Sequence, residues 1–179
     1  PGLDPYVMLN FLGRQRDVST LAHELGHAIH AILSSERTLL SYHSILPLAE
    51  TASVFCEMLL TDYMLKQDMD VAARQSLLTD KLEDIFATSH RQNMFSQFEI
   101  NTHKAAESNL MTTESLCTLY KESLQTMFGS SVIQTDEYAW EWSSIPHIFE
   151  SPFYVYAYNF GNLLVIALYQ QYLETGDSF

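Results

Sequence analysis

Val7, Leu9 and Phe11 alternate with Met8, Asn10 and Leu12 up to Gly13, the two-residue rhythm of a short strand closed by a turn. Asp17 then has the chemistry of a helix N-cap, with Ser19 and Thr20 in the first turn, and predicts a helix over 17–34. The polar, irregular stretch 36–47 reads as loop. Ala49, Ala52, Phe55, Cys56, Leu59 and Tyr63 return at helical spacing and predict a second helix over 48–67.

Neither Gly nor Pro occurs over 71–108, where Leu77, Leu82, Ile85, Phe86, Phe95, Phe98 and Ile100 mark a long helix, broken at most once. A further helix is expected over 113–128, ended by Gly129 at its C-cap. Residues 136–149 read as loop with short helical pieces, and Pro152 suits the first turn of a last helix over 153–173. The longest apolar run, Leu163 to Leu168, is far short of the ~20 residues that span a bilayer. No repeat, linker or low-complexity tract interrupts the chain. The pattern therefore predicts a mainly α fold with one short edge strand near the N-terminus, in a single domain over 1–179.

Charge narrows the partners. Among 179 residues, 22 Asp and Glu face 9 Lys and Arg, a net charge of −13. A nucleic-acid binder needs a basic face to neutralise phosphates, and an anionic membrane would repel this one, so neither is expected as a partner. Cys56 and Cys117 are far apart in sequence and read as free thiols of a reducing compartment, which with the absence of a leader pattern gives a cytoplasmic expectation. The chain opens at Pro1 without Met and stops at Phe179 just after Gly176, so a piece of a longer protein is expected.

The chemistry concentrates in His23-Glu24-Leu25-Gly26-His27, an H-E-x-x-H on the first helix. Residues four apart on a helix are turned about 40° from each other and separated by about 6 Å along the axis, so both imidazoles can reach one metal ion. Glu24 lies beside them as a base for an attacking water. A catalytic zinc wants three protein ligands. Glu50 supplies a carboxylate among Leu48, Ala49, Val54 and Phe55, where an unpaired charge would be costly and a cation removes the cost. Glu57, seven residues on, shares its face and is placed to hold the other ring nitrogen of a ligand histidine. His30 is a rival third ligand, but three histidines on a straight helix, spread over about 10 Å, cannot converge on one ion, so it is read as a support or packing residue. His43 is a weaker alternative. Farther on, the stretch from His147 through Tyr154 and Tyr156 to Tyr158 offers ring N–H and hydroxyl donors of the kind that stabilise an oxyanion.

Four stretches occur together: Pro5-Tyr6-Val7-Met8-Leu9-Asn10, the run from Asp17 through His30, Pro47-Leu48-Ala49-Glu50-Thr51-Ala52-Ser53-Val54-Phe55, and Ile145-Pro146-His147 through Tyr158. With weaker matches at Arg91-Gln92 and Phe98-Glu99, the chain resembles, over nearly its whole length, the oligoendopeptidase F branch of the thimet oligopeptidase family of zinc peptidases. The resemblance implies a zincin-like helical catalytic domain, a fragment of a larger two-lobed peptidase whose N-terminal lobe is missing here. It implies one zinc per chain held by His23, His27 and Glu50, with Glu24 as general base. It carries His147, Tyr154 and Tyr156 onto the group that positions substrate and oxyanion, without dividing the roles of the two tyrosines. The implied activity is that of a metalloendopeptidase on short peptides. The other class of function compatible with the motif is a non-catalytic, zinc-containing domain that binds peptides or a partner.

Overall fold

The strand rhythm at the start of the chain finds no partner. The computed structural model describes residues 4–178, and none of these is in a strand. Alternation permits a strand, but its N–H and C=O groups need a neighbouring strand, and none is present among the described residues. Tyr6 and Met8 are 91% and 96% exposed, so the expected edge strand is not formed. Pro1 and Phe179, on which the expectation of a longer protein is placed, lie outside the described residues.

Helix α1 (Gln15–Ser34) begins two residues before Asp17, with Arg14 extended at its N-cap. Asp17 still caps it, from the third helical position: its Oδ2 accepts the N–H of Leu12 at 2.8 Å and of Arg14 at 2.9 Å. The polar stretch after α1 holds a single turn, α2 (Leu39–Tyr42), and a 3₁₀ turn (Leu46–Leu48). Helix α3 (Thr51–Leu65) starts later than the pattern predicts, because Glu50 (φ −93°, ψ 3°) is its N-cap and not a helical residue. The long Gly- and Pro-free run becomes α4 (Val71–Phe86), one π-type turn (Ala87–Arg91) and α5 (Gln92–Ala106). Helix α6 (Thr113–Phe128) keeps its expected bounds, and Gly129 ends it with φ 57°. A 3₁₀ segment (Asp136–Ser144) and α7 (Pro146–Glu150) precede α8 (Tyr156–Thr175). Helix α8 begins three residues later than expected, since Phe153 takes φ 60°, which no right-handed helix accepts. No helix among the described residues is long and apolar enough to cross a membrane.

These elements form two compact units, one of residues 4–83 with 160–178 and one of residues 84–159. In the first, α1 packs on α3, and Phe55 of α3 meets the rings of Tyr169 and Tyr172 edge-on at 5.8 and 6.0 Å. In the second, Met94, Phe95 and Phe98 of α5 pack with Tyr120 and Leu124 of α6 and with Ile145 and Val155. Tyr120, fully buried, donates a hydrogen bond from its hydroxyl to Glu141, which also pairs with Arg91, while the Arg91 guanidinium stacks 5.0 Å over Phe95. Burial and the Glu141 charge push the Tyr120 phenol well above its ordinary value and keep it a donor.

Candidate metal centre

His23 and His27 stand one turn apart on α1, with their Nε2 atoms 3.2 Å from each other. Glu50 reaches them from the start of α3: its Oε2 is 3.2 Å from each of the two Nε2 atoms. Zinc bonds of about 2.0–2.1 Å in a tetrahedral arrangement set ligand atoms roughly 3.3–3.4 Å apart. The three 3.2 Å separations fit that spacing, and the donor set of two imidazoles and one carboxylate is one that zinc takes.

The approach of the two helices depends on Gly26, between the histidines, which is buried against α3. A Cβ there would lie 2.6 Å from Ala52 O and from Ser53 Cα. Ser53 is fully buried, and its hydroxyl donates to Glu50 Oε2 at 2.8 Å with the Glu50 carbonyl at 3.0 Å. On the far side of His23, Nδ1 lies 2.7 Å from Glu57 Oε1, and Lys81 of α4 reaches Glu57 Oε2 at 3.4 Å. An Nδ1–H donated to Glu57 leaves the Nε2 lone pair free for a metal.

The electrostatics describe a site built around positive charge. Hydrogen bonds to Glu50, and then to Glu57, raise the His23 imidazole from 6.5 to about 10, against the cost of burial. Glu50 is held down at about 2, by His23 first and by Ser53 as well, although burial works the other way. Burial is the largest influence on Glu57 and favours its neutral form, but the His23 hydrogen bond and the Lys81 charge outweigh it and keep the carboxyl below its ordinary value. Two carboxylates thus converge on His23, the arrangement that favours a positive charge at this place. Glu57→Ala is expected to weaken zinc binding by about 10- to 100-fold, read by chelator competition, because His23 loses the partner that fixes its tautomer and orientation.

His30 lies outside this triad. It lines a nearly apolar cavity of about 450 Å³ with Gly26, Ile29, Thr51, Phe55 and Leu168. His43 is exposed and packs edge-on against Tyr42 at 4.8 Å, also apart from the triad. Glu24 is part-buried on α1 beside His23. Ser53 and Lys81 escape sequence reasoning. Ser53 reaches Glu50 only because both stand at the start of one helix, and nothing local marks Lys81.

His147, Tyr154 and Tyr156 belong to the second unit. His147 Nε2 is hydrogen-bonded to the hydroxyl of Tyr158 at 3.0 Å. The Tyr154 ring lies 5.9 Å from the imidazole and 5.1 Å from the Tyr158 ring, centre to centre. Tyr156 is the first residue of α8 and is half-exposed. Tyr158, the residue joined to the histidine, closes the donor stretch read from the sequence but is not among the residues the resemblance carries into the site. Its eleven-residue distance from His147 is unreadable until the turn between them is known.

The family model described as Peptidase family M3 matches residues 3–178. The chain is 35% identical over 178 residues to Oligopeptidase PepF of Bacillus subtilis, covering 98% of this chain and 26% of that protein. It is 36% identical over 158 residues to the chromosomal Oligoendopeptidase F of Lactococcus lactis, covering 87% of this chain and 26% of the relative. The crystal structure of oligoendopeptidase-F from Enterococcus faecium superposes with a TM-score of 0.74 at 32% identity, over 90% of this chain and 29% of that one. The chain therefore spans about a quarter of the length of the curated relatives it matches.

Proposed function

The chain belongs to peptidase family M3, and from that premise we propose that it is the metal-binding part of a zinc metalloendopeptidase that cleaves internal bonds of short oligopeptides. The observation that carries this reading is the triad itself: His23, His27 and Glu50 bring three ligand atoms to within 3.2 Å of one another. The names of the relatives support the peptide substrate class.

His23, His27 and Glu50 would hold one zinc per chain, which when bound supplies Lewis acidity to a water and to the scissile carbonyl. Glu24 accepts the proton of the attacking water and returns it to the leaving amine nitrogen. Glu57 keeps His23 in the tautomer that offers Nε2, and Ser53 holds Glu50 in place. Donation of N–H and O–H groups to substrate and oxyanion is assigned to His147, Tyr154 and Tyr156, on the resemblance and on the chemistry of those groups. The length that the relatives carry beyond the matched region is where the rest of a substrate channel would come from. A cytoplasmic setting completes the reading, supported by the free thiols of Cys56 and Cys117.

The test is the zinc content of the purified chain beside its Glu50→Ala variant, by elemental analysis. About one zinc per chain is expected, lost or greatly weakened in the variant. A helical, folded chain that takes up no zinc even on reconstitution would overturn the assignment.

A further inference from the structure

Tyr154 and Tyr158, which stand against His147, follow a turn at Phe153. That residue has φ 60°, a left-handed conformation that a bulky side chain adopts only when its surroundings impose it. Two side chains one turn apart on α5 meet it here. Glu99, 2% exposed, accepts the Phe153 N–H on its Oε1 at 2.7 Å, and the His103 ring packs 4.7 Å from the Phe153 ring. A carboxylate in a protein core is costly unless its oxygens are satisfied, so a Glu at this position calls for a purpose beyond filling space. The next residue along the chain is Tyr154, whose ring faces His147.

We propose that Glu99 is the positioning residue of the His147 cluster: by gripping the Phe153 amide it fixes the left-handed turn and thereby sets where Tyr154 and Tyr158 stand against His147. Its importance for peptide cleavage rests on the reading above that this cluster serves the substrate; the positioning itself does not.

The experiment separates the two. With ¹⁵N-histidine labelling of the chain, the Nε2 resonance of His147 reports its hydrogen bond to Tyr158. Glu99→Gln retains a carbonyl acceptor for the Phe153 amide and is expected to leave that resonance near its wild-type position. Glu99→Leu removes the acceptor and is expected to shift it toward the value of a free imidazole. Adding Phe153→Gly to Glu99→Leu should restore the resonance, because glycine takes a positive φ at no steric cost and no longer needs the grip. A merely space-filling role for Glu99 would not be rescued at residue 153. If Glu99→Leu fails to fold, the double variant decides: recovery of the fold and of the His147 signal supports the proposal, and continued unfolding overturns it. A Glu99→Leu chain that folds with an unshifted His147 resonance overturns it as well, as does a folded double variant whose resonance stays shifted. None of these outcomes depends on zinc or turnover, so an inactive protein with the expected resonances would count against the peptidase reading alone.

Discussion

Glu24→Gln is expected to keep about one zinc per chain and to lower peptide hydrolysis by at least about 10³-fold, within the 10²–10⁴ range typical of a general base and toward its upper end because this carboxylate is asked to act twice. Gln matches Glu in shape, so the packing of α1 against α3 is preserved and His23, His27 and Glu50 keep their 3.2 Å spacing. What changes is proton affinity: an amide can neither take a proton from water nor return one to an amine. The metal triad and the base are separate side chains, although His23 and Glu24 are adjacent in sequence, so binding and turnover come apart in this variant. Two measurements on the same sample decide the matter: elemental zinc, and the kcat of the metal-loaded protein on an internally quenched oligopeptide, assayed with the further length its relatives carry. A Gln variant with turnover within tenfold of wild type would remove Glu24 from the mechanism. Loss of zinc along with turnover would instead mean that Glu24 supports the metal.

The parts of this site that rest on helical periodicity are legible in the sequence, and the parts that rest on the meeting of helices are not. His23 and His27 share a face because of helix geometry, whatever the rest of the chain does. Glu50 stands out because a carboxylate in an apolar stretch needs a partner. By contrast, Lys81 reaches Glu57 across 24 residues, and Tyr158 reaches His147 through a turn whose left-handed residue is a Phe, the last type one would choose for it. The same division holds for the fold. Helices α1, α3 and α6 follow from local pattern, with ends that move by a few residues: the Asp17 side chain caps α1 from inside its first turn, and the backbone of Glu50 keeps it outside α3. The alternation at residues 6–11 misleads, because a strand is a property of two segments and the described chain supplies one. The π-type turn Ala87–Arg91 inside the long run has no Gly or Pro to announce it.

Gly26 is where the unreadable part of the site is most exposed to a test, and Gly26→Ala is expected to damage metal binding more than folding. On an open helix, replacing Gly by Ala stabilises by about 1 kcal/mol. Here the added methyl would meet Ala52 O and Ser53 Cα at 2.6 Å and Ala52 C at 2.9 Å, all backbone atoms of α3 that cannot rotate away. Helices α1 and α3 must therefore separate by roughly 0.5–1 Å, and overpacking of this kind typically costs about 1–3 kcal/mol, which cancels or exceeds the propensity gain. The displaced backbone is that of Ser53, whose hydroxyl holds Glu50 Oε2, so the carboxylate moves with it, away from His23 and His27. Zinc tolerates ligand distances within only about 0.2 Å of their ideal, so a shift that the fold survives is one the metal does not. Zinc affinity is expected to fall by about 100-fold or more, while the melting temperature of the metal-free chain drops by only a few degrees. Gly161→Ala is the control, since a Cβ there would make an ordinary 3.5 Å contact with Pro47 O and leave the triad alone. Chelator competition and thermal melts of both variants, with and without zinc, read the result. A Gly26→Ala chain that binds zinc as tightly as the Gly161→Ala chain would show that the close approach of α1 and α3 does not set the site.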